Sequence, residues 1–177
     1  MNFSLIRQSL RQMRGVIQLL RDTALPDIEG YRAPMDFSLP FHGRWLVANG
    51  GAPETSHSWE IPQQRYAYDF LIADERGYHF SGDEKDPAAY YCYGREILAP
   101  ADGFVVALYT DAPDSPVNKR RPVCAADDLR GNFVLLNHGS GVYSLLCHLK
   151  PGSIYVHVGQ AVARGERIAR CGNSGNT

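Results

Sequence analysis

Asp69, His148 and His57 have side chains that bind cations and move protons, and each sits in a context that asks for an explanation. Asp69 lies in the run Tyr66-Ala67-Tyr68-Asp69-Phe70-Leu71-Ile72. Read as a strand, this run puts Tyr66, Tyr68, Phe70 and Ile72 on one face and Asp69 on the other with Ala67 and Leu71. A carboxylate among apolar neighbours costs several kcal/mol unless it is paired, hydrogen-bonded or metal-bound. His148 ends the run Tyr143-Ser144-Leu145-Leu146-Cys147-His148, on the face opposite Tyr143, Leu145 and Cys147. His57 lies in the loop Glu54-Thr55-Ser56-His57-Ser58-Trp59, ahead of the Asp69 strand. Two imidazoles and a carboxylate on neighbouring strands suit a divalent metal, and this donor set favours zinc. Each residue also has a plain structural reading. Asp69 would then bond a backbone amide or Arg65, His148 would be a satisfied core histidine, and His57 a loop residue.

Short strands between turns are the elements that must position these groups. Trp45-Leu46-Val47 precedes Asn49-Gly50-Gly51. Ile97-Leu98-Ala99 and Phe104 to Tyr109 flank Pro100-Ala101-Asp102-Gly103, which reads as a hairpin, and Phe133 to Asn137 and Tyr143 to Leu149 flank His138-Gly139-Ser140-Gly141, a second one. Ile154 to Val158, Ala161-Val162 and Arg167 to Cys171 complete the strand pattern. Residues 73–95, with Tyr90, Tyr91 and Tyr93, and residues 110–130, with Lys119-Arg120-Arg121, are long polar connections of the kind that form functional rims. The tyrosines suit either a ligand grip or packing over a sheet edge; the basic triplet reads as a solvated loop.

The composition agrees with a turn-rich β protein: 17 Gly, 11 Pro, 10 Tyr and 7 Phe in 177 residues. A net charge of −1 argues against a nucleic-acid surface. No stretch approaches the roughly 18 apolar residues of a transmembrane helix. At the N-terminus Phe3, Ile6, Leu10, Met13 and Ile17 fall near one helical stripe, with Arg7, Arg11 and Arg14 among them. The segment reads as a basic amphipathic helix that packs on the domain or a partner, or lies on an anionic membrane. Pro26, Pro34 and Pro40 then mark an extended linker. Cys92, Cys124, Cys147 and Cys171 form no Cys-x-x-Cys pair, which excludes zinc-ribbon and thioredoxin-like sites. Cys147 and Cys171, in apolar strand contexts, read as small buried hydrophobes.

A further pattern carries a resemblance. It comprises Ala99-Pro100-Ala101-Asp102-Gly103-Phe104-Val105, Gly131-Asn132-Phe133-Val134, Asn137-His138-Gly139, and the run from His148-Leu149-Lys150-Pro151-Gly152 to Gly172-Asn173-Ser174-Gly175-Asn176-Thr177. In this order, these pieces resemble the lysostaphin-type zinc endopeptidases, the twenty-third metallopeptidase family, over about residues 40–177. The resemblance implies a mainly β fold, an antiparallel β-sheet groove of the lysostaphin-like, duplicated hybrid motif type, here preceded by the N-terminal amphipathic helix. It divides the chain into the helix (1–25), the Pro-rich linker (26–41) and the peptidase-like β domain (42–177). It implies Zn2+ held by a His, a downstream Asp and the second His of a terminal His-x-His. Asp69 matches the Asp. The usual His position, four residues before it, is Arg65, so His57 takes that place at a longer spacing, with His42 the second candidate. His148 matches a catalytic histidine that steadies the developing oxyanion or the zinc-bound water. The implied reaction is hydrolysis of peptide bonds in bacterial cell-wall peptidoglycan, in the cell envelope or periplasm.

The chain as given stops at Thr177, where family members continue into the His-x-His strand. The expectations are weak zinc binding, low hydrolytic activity and self-association through an exposed sheet edge. Arg65 in a ligand position also suits a non-catalytic module on the same fold that binds cell wall or regulates a partner hydrolase. A biotin- or lipoyl-type carrier is disfavoured, because the hairpin tip Ala163-Arg164-Gly165-Glu166 lacks the lysine such a carrier modifies.

Overall fold

A computed structural model describes Gly30 and residues 32–50, 64–117 and 128–177. The expected helix over 1–25, His57 and the basic triplet Lys119-Arg120-Arg121 lie outside the described residues. The chain divides into two compact units, one holding residues 45–72 and the other residues 33–44 and 73–177.

In the first unit β1 (Leu46–Asn49) pairs antiparallel with β2 (Asp69–Leu71). Val47 faces Phe70 and Asn49 faces Asp69, so Ala48 is an extra residue on β1 that bulges the pair. The strand expected from Tyr66 is shorter at its start, because a turn closed by the Ala67 N–H donating to the Gln64 carbonyl (2.9 Å) occupies residues 64–67. Tyr66 and Tyr68 remain largely exposed, and Tyr68 stacks on Phe70 with ring centroids 5.9 Å apart. Gly50, at φ +121°, lies under the Tyr68 ring, where a Cβ would come within 2.5 Å of Cδ1.

The second unit is built from two further antiparallel sheets. One pairs β3 (Glu96–Leu98) with β8 (Arg167–Arg170). The other has four strands in the order β6 (Tyr143–Leu149), β5 (Asn132–Asn137), β4 (Gly103–Tyr109), β7 (Ala161–Val162). Val105, Val134, Leu136, Leu149, Ile168 and Ala99 have 0–1% of their surface exposed and form the core. Each of the larger ones contributes about 1.5–3 kcal/mol by leaving water. The residues just before β1 join this unit: Ser38 N–H donates to the Pro100 carbonyl (2.8 Å), Leu98 N–H to that of Pro40 (2.8 Å), and Phe41 is buried.

The hairpin expected around His138–Gly141 is present, with β5 and β6 adjacent and Leu135 facing Leu145. The one expected around Pro100–Gly103 is not, since β3 and β4 belong to different sheets. Ala99 uses its amide and carbonyl on the turn at the other end of the chain, bonding Glu166 O (2.9 Å) and Gly165 N–H (2.8 Å). Ala99 and Ala101 are buried, so the segment is a core crossover between sheets rather than a surface turn. The stretch Ile154–Val158 is likewise irregular, held by single bonds such as Tyr155 N–H to the Ile168 carbonyl (2.9 Å).

Of the two expected rims, the one over residues 73–95 lies within the described residues. In residues 73–95 His79, Phe80 and Tyr90 form a ring cluster with centroids 5.3–5.7 Å apart, and the Tyr90 hydroxyl donates to the Glu84 carbonyl (3.0 Å). These aromatics are occupied in packing the loop on itself. Pro87–Ala89 form one 3-10 turn, with the Asp86 carboxylate accepting from the Ala88 N–H (2.9 Å).

Candidate functional site

The geometry around His148 begins with a change of register. From Val134 to Asn132 the chain takes two steps on β5, while from Leu146 to Leu149 it takes three on β6. One extra residue therefore sits on β6 at Cys147-His148, a β-bulge. Simple alternation, which would have set His148 opposite Tyr143, Leu145 and Cys147, breaks there. Leu145 is 44% exposed, whereas Leu149, of the same parity, is 1% exposed and back in the core. His148 absorbs the change in the left-handed region at φ +59°. Few non-glycine residues occupy that region, and such backbone strain concentrates at functional sites.

The side chain is as constrained as the backbone. The His148 Nδ1 lies 2.8 Å from the Ser174 carbonyl. A carbonyl accepts only, so the proton of the neutral ring is on Nδ1 and its lone pair is on Nε2. The His148 amide donates to the Arg130 carbonyl (3.0 Å), and its carbonyl accepts from Gly172 N–H (3.1 Å). Gly172 has no room for a side chain, because a Cβ there would run into the Lys150 backbone. The 172–175 segment thus lies directly against the β6 bulge.

Ser174 is held by a buried polar knot centred on Asn132. The Asn132 side chain donates to the carbonyls of Ala112 (2.7 Å) and Leu149 (3.1 Å) and accepts from the Ala112 N–H (2.8 Å). Its own N–H donates to the Ser174 hydroxyl (2.9 Å), which donates in turn to the Leu149 carbonyl (2.7 Å). Asn132 and Ser174 have no exposed surface, so unmet bonds there would carry a full desolvation cost. Next to the knot, Asp114 accepts from the Asn173 N–H (2.9 Å) and from the Tyr93 hydroxyl (2.5 Å). Burial, then the bond to Asp114, raises the Tyr93 pKa above its ordinary value. The Ser115 hydroxyl donates to the Gly175 carbonyl.

Other residues singled out from the sequence fall as follows. His138 is structural: Nδ1 bonds the Asp102 carbonyl (2.7 Å) and Nε2 the Ser144 hydroxyl (2.8 Å), so both ring nitrogens are used, tying the β5–β6 turn to the segment just before β4. Cys147 is half-buried rather than part of the core, and desolvation pushes its thiol up to about 12, against the pull of Arg130 and with a further push from Asp128. Asp69 is half-buried at the first position of β2 in the first unit. His42 is exposed in a bend of the second unit, and His57 lies outside the described residues. Among the described residues no group of three His, Cys, Asp or Glu side chains stands where it would hold a metal ion. A complete zinc ligand set therefore does not lie within them; Asp69 is the expected ligand they contain.

The sequence does not mark Ser174, Asn132 or Asp114 as site residues, and it marks Tyr93 only within the tyrosine cluster of the 73–95 rim. Asn132 had one visible signal, an amide between a glycine and an apolar strand run. The pairing of Asp114 with Tyr93, 21 residues apart, has none, since only the fold brings them together.

An uncharacterized metalloprotease of Haemophilus influenzae is 29% identical over 114 residues, which is 64% of this chain and 18% of that protein. The chain thus spans less than a fifth of the length of that relative. Residues 88–177, half of the chain, match the model of peptidase family M23. They contain His148, Asn132, Ser174 and the segments that tie them together, and the chain belongs to peptidase family M23.

Proposed function

We propose that the protein is a zinc endopeptidase acting on bacterial cell-wall peptidoglycan, with His57 and Asp69 as metal ligands and His148 as a catalytic histidine. The observation that carries this reading is the His148 imidazole, set at φ +59° on a bulge and anchored through Nδ1 on the Ser174 carbonyl. Anchored in this way, the ring accepts a proton at Nε2 when neutral and donates from Nε2 when charged. A group that relays a proton or steadies a developing oxyanion in amide hydrolysis needs that behaviour. The Asn132–Ser174 knot keeps the ring oriented and its anchoring carbonyl away from water. Zinc, when bound, would polarise the scissile carbonyl and activate water. Asp69 supplies a hard anionic donor for the ion. The choice of peptidoglycan rests on the resemblance to lysostaphin-type enzymes.

A second reading, a non-catalytic module on the same fold, is favoured by Arg65 in the position where the family usually has a ligand. Metal content by mass spectrometry and peptide release from purified peptidoglycan distinguish the two. The endopeptidase, impaired as the expected weak zinc binding implies, should take up zinc and show low hydrolysis in zinc-supplemented buffer, and lose both when Asp69 is replaced by Ala. Peptidoglycan binding that survives chelation, with no hydrolysis in any metal, would establish the module instead.

A further inference from the structure

The end of β8 is stitched to the turn Cys92–Arg95. The Gly94 N–H donates to the Cys171 carbonyl (2.7 Å), the Cys171 N–H to the Arg95 carbonyl (2.8 Å), and the Arg95 N–H to the Cys92 carbonyl (3.1 Å). The Arg170 guanidinium also donates to the Gly94 carbonyl (2.9 Å). This pairing brings the half-buried thiols of Cys92 and Cys171 into hydrogen-bonding contact, with both sulfurs free of any disulfide. We propose that Cys92 and Cys171 are a redox-closable pair, converted to an intrachain disulfide by exchange with a small-molecule disulfide. The backbones already run together, so closing the sulfurs to about 2.05 Å needs side-chain rotation and no change of strand pairing.

The exchange proceeds in two displacements. The thiolate of one cysteine attacks a sulfur of the oxidant RSSR, expelling RS⁻ and forming a mixed disulfide. The second cysteine then attacks the protein sulfur of that bond, forming Cys92–Cys171 and expelling a second RS⁻. The two cysteine protons finish on two RSH molecules; the protein gives up two electrons and the oxidant gains them. The hydrogen bond to Cys92, then burial, then the negative charges of Cys92 and Asp114 raise the Cys171 thiol pKa. Cys147 lies on β6, outside the pairing of the 92–95 turn with Cys171, and stays out of the exchange.

The consequence reaches the candidate site, because Cys171 immediately precedes the segment that presents the Ser174 carbonyl to His148. Closing the pair ties that segment to the 92–95 turn covalently. The inference does not depend on the peptidase reading, and its test uses no activity. The reduced full chain is incubated with oxidised glutathione, its thiols are counted after denaturation, and its peptides are mapped without reduction. The expected result is loss of two of the four thiols and a linked Cys92–Cys171 peptide, lighter by two hydrogens than its reduced parts. A loop of about 80 residues should also raise the thermal midpoint by roughly 5–10 °C, reversed by dithiothreitol. Cys92→Ser and Cys171→Ser should each abolish the link and the rise, while Cys147→Ser should behave as the parent chain. Unchanged thiol number, stable glutathione adducts on both residues, or a linkage to Cys124 would overturn the proposal.

Discussion

His148 is one residue whose backbone and side chain are both spoken for, and its neighbour Cys147 shows the same environment from the apolar side. If the imidazole serves the reaction through Nε2, His148→Gln should leave bound zinc unchanged. It should lower kcat by about 10²–10⁴-fold, the usual worth of a positioned acid–base group, with a smaller effect on KM. Metal analysis beside steady-state kinetics checks this, and equal losses of metal and rate would place His148 among the ligands instead. Cys147 makes a prediction about pH. Its folded pKa of about 12 lies above the unfolded value of about 8.5, so the unfolded chain releases its proton first. Stability from this group is complete below about pH 8.5 and falls as pH rises towards 12, by up to about 1.4 kcal/mol per unit. In urea titrations of the reduced chain between pH 8 and 11, Cys147→Ala should make that slope shallower, the raised Cys171 thiol keeping the rest, while costing a small, constant amount at neutral pH.

At the scale of elements, β6 and the 172–175 segment form one device. The bulge turns His148 out of the strand pattern, and the neighbouring segment supplies the carbonyl that fixes its ring. The two depend on close backbone approach at Gly172 and on the Ser174 hydroxyl between Asn132 and Leu149. Ser174→Ala leaves the Asn132 N–H buried without its acceptor, and chemical denaturation should show a loss of about 1–3 kcal/mol. Gly172→Ala should be worse for the site than for the fold. The added methyl pushes the segment away from Lys150, so His148 ring signals in NMR spectra should shift even where the remaining core signals do not.

At the scale of the whole molecule, the buried apolar side chains among the described residues gather in the second unit, many of them on β4, β5 and β8. Leu136, with no exposed surface, sits on the central pair of the four-stranded sheet. Leu136→Ala should cost about 2–5 kcal/mol by transfer and cavity terms. Loss of cooperative unfolding for residues 73–177 would be visible by hydrogen exchange. The described residues contain no helix long and apolar enough to cross a membrane.

Much of this was legible in the residues themselves. Short-range chemistry announces itself locally: short apolar runs mark β4, β5 and β6, and Gly139 and Gly141 mark the hairpin between β5 and β6. The four ordered motifs reach as far as the family, and among them His148 was recognisable as a chemical group. Pairing across sheets was another matter. Pro100–Gly103 has the composition of a tight turn, yet Ala99 bonds Glu166 and the chain crosses between sheets, because that choice depends on partners more than sixty residues away. The bulge at His148 was equally hidden, since an extra residue exists only relative to the strand beside it. So were the Asn132–Ser174 knot, the Tyr93–Asp114 bond and the meeting of Cys92 with Cys171. In each, distant side chains become neighbours when burial removes water as the competing partner.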